Sequence, residues 1–330
     1  MKYLFFLLLP VISAPVAAQE SLSRLFSGDS LQQPQPVTAT FKSDHIVNGQ
    51  SNETLHRQDL VVNISHRFDD IAGKYGGIKT FFGLDNSTDI KIQLEYGISD
   101  RLTAGLARAK GAPEARATAI GFNSETQLWE GSLKFRLLQQ TTDNKVPLAI
   151  TLFSNAVISS RAALDDPTSD ISFSDFGDRW SFTGQAIIAR KFSDNFSLAV
   201  LPTYSRRNLV AFGDMNNLFS LGLGGRIKFT RHMAIIMDCF LPFRSRESRD
   251  YFKQQDITFY PPLAIGWEIE TGGHVFHINF TNSTALLENQ FIPYTTRSWT
   301  HGGFRWGFNI SRTFSLSPRQ SRKEGTGYGK

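Results

Sequence analysis

Residues 89–107 read DIKIQLEYGISDRLTAGLA, and the first arm of this stretch decides the fold. Ile90, Ile92, Leu94 and Tyr96 alternate without error with Asp89, Lys91, Gln93 and Glu95. Successive side chains of a strand point to opposite faces, so this arm is a strand with one apolar and one ionic side. Ser99-Asp100 supplies a tight turn, and Leu102, Ala104 and Leu106 carry a second arm. Working outward, the same unit recurs: a long polar loop, a strand, a turn of a few residues, another strand. That is the sequence pattern of a transmembrane up-and-down antiparallel β-barrel.

The alternation predicts twelve strands, at 59–68, 88–98, 101–110, 127–138, 147–159, 179–191, 196–206, 216–229, 233–242, 261–270, 274–283 and 302–314. The connections 99–100, 139–146, 192–195, 230–232 and 271–273 are short. Those at 69–87, 111–126, 160–178, 207–215, 243–260 and 284–301 are longer, and the two kinds alternate strictly. Outer-membrane barrels have short periplasmic turns and longer outer loops, which puts both termini in the periplasm. Residues 37–46 are left out of the barrel. Lys42, Asp44 and His45 interrupt their apolar pattern, and a further strand would make the number odd.

Ahead of the barrel, residues 1–18 read as a signal peptide: Lys2, the uncharged run Tyr3 to Ile12, and Val16-Ala17-Ala18 before a cut at Gln19. The run is too short to span a bilayer, which takes about 20 residues. Residues 19–58, with Pro34 and Pro36, read as a periplasmic lead-in, residues 59–314 as the barrel, and residues 315–330 as a disordered basic tail.

In the clearest strands both faces are legible. Trp129, Leu133, Phe135 and Leu137 oppose Glu130, Ser132, Lys134 and Arg136. Phe219, Leu221, Leu223, Ile227 and Phe229 oppose Ser220, Arg226 and Lys228. Leu263, Ile265, Trp267 and Ile269 oppose Glu268 and Glu270, and Phe276, Ile278 and Phe280 oppose His277 and Asn279. A soluble barrel would show the same alternation with its faces exchanged. Three features favour the membrane: the signal peptide, the alternation of connection lengths, and aromatics near strand ends such as Tyr96, Trp129, Trp180, Phe192, Phe196, Phe229 and Phe314. Lipid is then the first partner. The closing strand GFRWGFNISRTF ends in Phe314 and resembles the signal read by outer-membrane insertion machinery, although the chain continues beyond it.

The composition narrows function further. The single Cys239 excludes a disulfide framework and a Cys-based zinc site, and it reads as a packing residue. The formal net charge of +5 is spread along the chain, so nucleic acid is not an expected partner. No spacing of the seven histidines suggests a metal, and no cofactor motif occurs.

Several stretches together resemble a family of Bacteroidota β-barrel proteins of unknown function: SHRF (65–68), FFGLDNSTDI (81–90), LEYGISDRLTAG (94–105), ARKFSD (189–194), RNLV (207–210), WEIETGGHVFHINFTNS (267–283) and GFNISRTF (307–314). The resemblance runs from about Phe41 to Phe314. It implies an outer-membrane location and brings no activity or site residues.

The candidate functional residues therefore come from the inner face. They are the acids Asp89, Glu95, Glu130, Asp238, Glu268 and Glu270, the bases Lys91, Lys134, Arg136, Arg226, Lys228 and Arg305, and the pair His277 and Asn279. A selective pore is expected to show a ring or ladder of one sign. This mixture fits either a salt-bridged polar core or a water-filled passage with separated acidic and basic faces. His277 and Asn279 share one face and with a serine would suggest an embedded lipid hydrolase, but no Gly-x-Ser-x-Gly elbow occurs, so His277 reads as structural. Thr271-Gly272-Gly273 reads as a hairpin turn, and the glycines of GLGGR (222–226) as sites of curvature or close backbone approach. Phe81, Phe82 and Leu84 are expected to fold their loop over the barrel mouth. The expectation is a non-enzymatic barrel acting as a narrow or gated channel for small molecules, with a closed structural or docking barrel as the alternative.

Overall fold

The computed structural model describes residues 35–112 and 126–316. The signal peptide, the lead-in up to residue 34 and the tail from residue 317 lie outside the described residues. Twelve strands form: β1 (Asp59–Asp70), β2 (Ser87–Ser99), β3 (Leu102–Ala109), β4 (Leu128–Leu138), β5 (Ala149–Ser159), β6 (Trp180–Lys191), β7 (Phe196–Arg207), β8 (Asn217–Lys228), β9 (Met233–Pro242), β10 (Leu263–Thr271), β11 (His274–Thr281) and β12 (Arg305–Ser315). Each pairs antiparallel with its sequence neighbours, and β1 closes the ring on β12, Ile64 opposite Ile310. The expected ladder is the observed one to within a few residues at each end.

The larger departures have local causes. β10 starts at Leu263 because Pro261 and Pro262 have no N–H to give to the ladder. β12 starts at Arg305 because Gly302 takes a left-handed φ of 75°. β11 stops at Thr281, where the chain turns into the lumen, and Asn282 instead ties β10 to that loop by accepting from Leu263 N. The turn at Gly272-Gly273 has positive φ at both glycines, as a tight hairpin needs.

Two long connections carry helices. α1 (Arg246–Gln254) lies between β9 and β10, capped by the Ser245 side chain, and α2 (Glu288–Tyr294) lies between β11 and β12. No helix among the described residues is long and apolar enough to cross a membrane.

The outward face is the apolar one. Leu133, Leu223 and Ile265 are about half exposed, at 51%, 49% and 42%, on a ring of strands that pair antiparallel all the way round. Apolar side chains on the outside and buried charge on the inside suit a hydrocarbon solvent. The inside poses a separate problem. Eight strands make a barrel that wall side chains can fill, whereas much larger barrels leave an aqueous channel. Twelve fall between, so this lumen needs either water or inserted chain.

Candidate functional site

The lumen is occupied from both ends by the protein's own chain. The first insert is residues 36–58, of which the sequence reading made a periplasmic lead-in; in the structure this part of it enters the barrel. It crosses the short-turn end at the β4–β5 connection, where Val37 N donates to Gln140 O at 2.7 Å. It then climbs into the lumen and folds back as a hairpin: Ile46 N donates to Gly49 O and Ser51 N to Asp44 O, both at 2.8 Å. It leaves past the β2–β3 turn, Thr54 Oγ1 donating to Asp100 O, and runs into β1. It is not a stave of the barrel, in keeping with the exclusion of 37–46 from the strand count.

Its tip is held by the wall through main-chain groups. Val47, Asn48 and Gly49 donate their backbone N–H groups to one oxygen, Asp238 Oδ2, at 2.9, 2.7 and 3.0 Å. Arg67 donates to Asn48 Oδ1 at 2.8 Å and to Asn279 Oδ1 at 3.0 Å, and Asn48 Nδ2 donates to Thr281 Oγ1. Lower down, Lys134 Nζ donates to Asp44 O at 2.9 Å, Thr151 Oγ1 to Asn52 O, and Lys42 pairs with Glu270 at 2.7 Å. Burial would raise the Asp44 carboxyl, but His45, bonded to it at 2.6 Å, and then Lys134 outweigh burial and hold it well below the usual range.

The glycines of GLGGR serve this insert. A Cβ on Gly224 would meet Ile46 Cδ1 at 2.3 Å, and one on Gly222 the Phe240 ring at 2.5 Å. Close approach, of the two readings of these glycines, is what the structure uses.

The second insert comes from the long-loop end. Residues 282–295, including α2, are buried in the lumen. Leu286 N donates to Asp89 Oδ2, Asn289 Nδ2 to Ser181 Oγ, and the Phe291 ring meets Phe240 edge-on at 5.3 Å. The two inserts touch: Gln50 Nε2 donates to Glu288 Oε1 at 2.7 Å. This loop covers the mouth. Phe81, Phe82 and Leu84, expected to do so, are exposed at the surface instead, Phe81 and Phe82 in positive-φ conformations.

The fourteen inward residues named from the sequence all face the interior, and the structure gives most of them partners. Lys91 Nζ bonds Glu130 Oε2 at 3.1 Å, and Asn155 adds a second bond to Glu130 at 2.7 Å. Arg226 donates to Glu268 at 2.8 Å, and His277 Nε2 stands 3.4 Å from the other oxygen of that carboxylate. Arg305 pairs with Asp70 at 2.6 Å. Asp89, Lys134, Asp238 and Glu270 meet the inserts as described, and Asn279 accepts from Arg67 within the wall. Glu95 is buried beside Lys91, Lys134 and Asp44. Arg136 and Lys228 are half-buried toward the short-turn end, Arg136 donating to Thr54 O.

The sequence reading missed Arg67, Glu288 and the hairpin itself. Arg67 had a signal: Asn63, Ser65 and Arg67 share the inner face of β1. The hairpin had an indirect one. β9, MAIIMDCFLP, is apolar on both faces apart from Asp238, with Ile235, Met237 and Leu241 outward and Ala234, Ile236 and Phe240 buried inward. A lumen strand with an apolar inner face requires something apolar to cover it, here Ile46, Phe291 and Ile292.

Residues 41–314 match the profile of a family described as a membrane-bound β-barrel domain of unknown function, DUF5777. The chain belongs to that family. The matched region begins at Phe41, ahead of β1, and so takes in the lumen hairpin. Among solved structures, an outer-membrane channel from Pseudomonas putida F1 is 12% identical, with 80% of this chain and 98% of that chain covered and a TM-score of 0.47. A KdgM porin is 6% identical, covering 77% and 99%, with a TM-score of 0.44. LpxR from Salmonella typhimurium is 10% identical, covering 78% and 99%, with a TM-score of 0.35. These likenesses concern the barrel alone. None of the curated proteins compared matches the chain.

Proposed function

We propose that this protein is a gated channel for small solutes in the outer membrane of a Gram-negative bacterium, of the Bacteroidota kind, closed at rest by its own N-terminal hairpin. The signal peptide directs it there, with the short turns in the periplasm. Its partners on this reading are outer-membrane lipid and the insertion machinery.

The observation that carries the reading is how the hairpin is held. The barrel closes on itself through β1 and β12 without it. Its tip hangs on hydrogen bonds to Asp238, Arg67, Thr281 and Asn309, and water can satisfy every one of those groups once the hairpin leaves. Net costs of exchanging such bonds with water are about 0.5–1.5 kcal/mol each, a scale suited to a reversible stopper. The hairpin buries Phe41, Ile46 and Val47, whereas the α2 insert brings the larger set Leu286, Leu287, Phe291 and Ile292 into the lumen, and this heavier apolar packing marks it as the fixed half of the filling. Water would not replace those contacts.

His277 fits this reading better than a hydrolase. It faces Glu268, which Arg226 already neutralises, an arrangement that holds a polar wall together. The α2 packing does favour one rival, a permanently closed structural barrel.

Single-channel recording in planar bilayers separates the two. Wild-type protein should show rare, brief openings, and Gly224→Leu should show steady ohmic steps, because its side chain takes the place of Ile46. Joining Asn48→Cys to Thr281→Cys with a thiol cross-linker, in a Cys239→Ser background, should abolish openings until the link is cut. Silence in Gly224→Leu, with the barrel folded and the hairpin open to protease, would establish the closed structural barrel instead.

A further inference from the structure

Resting on the gated-channel reading, we infer that the wall under the hairpin tip is the channel's solute-binding site, and that its solute is a short peptide carrying an aliphatic residue. The hairpin is then a tethered occupant of that site.

The wall reads the tip chiefly as main chain. Asp238 takes three consecutive peptide N–H groups, and Asn309 Nδ2 donates to the Val47 carbonyl at 3.4 Å. Arg67 and Thr281 grip the Asn48 side chain, itself a primary amide, at its oxygen and its nitrogen. Any peptide offers the same donors and acceptors, whatever its side chains. The wall is also charged in a sense that suits a free peptide. Asp238 can pair with an ammonium terminus, and the Arg67 guanidinium with a carboxylate, the bidentate match to which arginine is shaped.

Beside this clamp is an apolar hole. The space over Gly224, bordered by Leu201, takes the end of Ile46, and the Gly222 position lies against Leu201 and Phe240. It accepts an aliphatic side chain next to the main-chain clamp. A sugar would present hydroxyls to the polar groups and leave the hole unfilled.

The clamp also holds more hydrogen-bonding capacity than the hairpin uses. Asp238 Oδ1, Arg67 Nε and Asn279 Nδ2 make no hydrogen bond to the described residues, on side chains that are all at least 99% buried. Buried polar atoms ordinarily find partners, so these three can take a ligand's groups in addition to those the tip offers.

The test needs the site open. Gly49→Pro removes one N–H to Asp238 and drives a ring toward Phe240, which a Cβ there would already meet at 2.8 Å, so it expels the tip while keeping the full chain. A deletion of residues 43–51 serves as the second variant. The probes are the hexapeptide His-Ile-Val-Asn-Gly-Gln, copied from residues 45–50, tri-leucine, and a neutral trisaccharide. Binding is measured by calorimetry in detergent and block by single-channel current. Both peptides should bind, and adding Asp238→Asn should weaken them at least about tenfold, the usual scale for losing a hydrogen bond to a charged group. Equal binding of the trisaccharide, or peptide affinity indifferent to Asp238→Asn, would overturn the inference. The two readings fail separately. Peptide binding without conductance sinks the gate and leaves the site standing. Conductance without peptide binding sinks the site and leaves the gate.

Discussion

Replacing Lys91 by Met should destabilise the barrel by about 3–5 kcal/mol, the usual cost of removing one partner from a buried ion pair. Lys91 and Glu130 are 3% and 1% exposed and their charged atoms are 3.1 Å apart. At an effective dielectric constant of about 20 the attraction at that distance is about 5 kcal/mol before desolvation is charged against it. Met keeps the length of the side chain and removes the ammonium. Glu130 then retains its bond from Asn155 but faces Glu288, another carboxylate, without the ammonium that offset both. The double variant Lys91→Met/Glu130→Gln removes both charges of the pair, takes away the carboxylate that opposes Glu288, and leaves Asn155 able to donate to the new amide. It should lie within about 1.5 kcal/mol of wild type, far from the sum of the single variants.

The pH dependence follows from Glu288. Burial, and after it Glu130, push its carboxyl above the ordinary range. A carboxyl raised in the fold opposes folding above that folded value, and the penalty disappears below the unfolded one. The deficit of Lys91→Met should therefore shrink as pH falls from 7 toward about 4. Urea unfolding in detergent or lipid, followed by the fluorescence of the five tryptophans, measures both effects. A cost below about 1 kcal/mol for Lys91→Met, additive with Glu130→Gln and flat with pH, would mean a hydrated lumen that screens the pair, and the reasoning would fail.

On topology, protease added to intact cells should cut within 160–178 and 243–260 and spare Ser193-Asp194; cleavage at that short turn in sealed cells would reverse the orientation. On the lipid face, Leu133→Arg, Leu223→Arg and Ile265→Arg should each impair insertion by about 2–4 kcal/mol near the midplane, as judged by folding yield into vesicles. Inward Glu268→Gln should spare insertion, and equal defects on the two faces would refute the register. On the outer loops, Asp214 bonds both Arg207, at 3.0 Å, and Arg244, which also donates to Pro293 O and so ties three loops together. Burial opposes its ionisation, yet Arg207 and Arg244 hold its carboxyl below the usual range, so this contribution to stability is complete above about pH 3.9 and is lost only as pH falls through the lower, folded value. Proteolysis of 243–260 should thus change little between pH 7 and 4, whereas Asp214→Asn should accelerate it across that whole range.

The wall was legible in the sequence because a strand at a lipid boundary has a period of two residues and two solvents. Ile90 to Tyr96 against Asp89 to Glu95 fixes the facing of β2 with no knowledge of its neighbours, and the alternation of turns and long loops then sets the count. The inward acids and bases followed from the same parity. What that parity could not say is which of them meet: Lys91 and Glu130 are on β2 and β4, and only the stagger of the paired strands, with the small Ala107 and Ala109 of β3 between them, brings them together. The hairpin was hidden for a different reason. Residues 44–51 have no strand period and only Ile46 and Val47 as apolar residues, and the groups that hold their tip lie far along the chain: Asp238 for Val47, Asn48 and Gly49, Glu288 for Gln50. Locally such a segment is indistinguishable from a solvated lead-in. Only the closed barrel, too wide for its own side chains to fill, gives this segment a lumen to occupy.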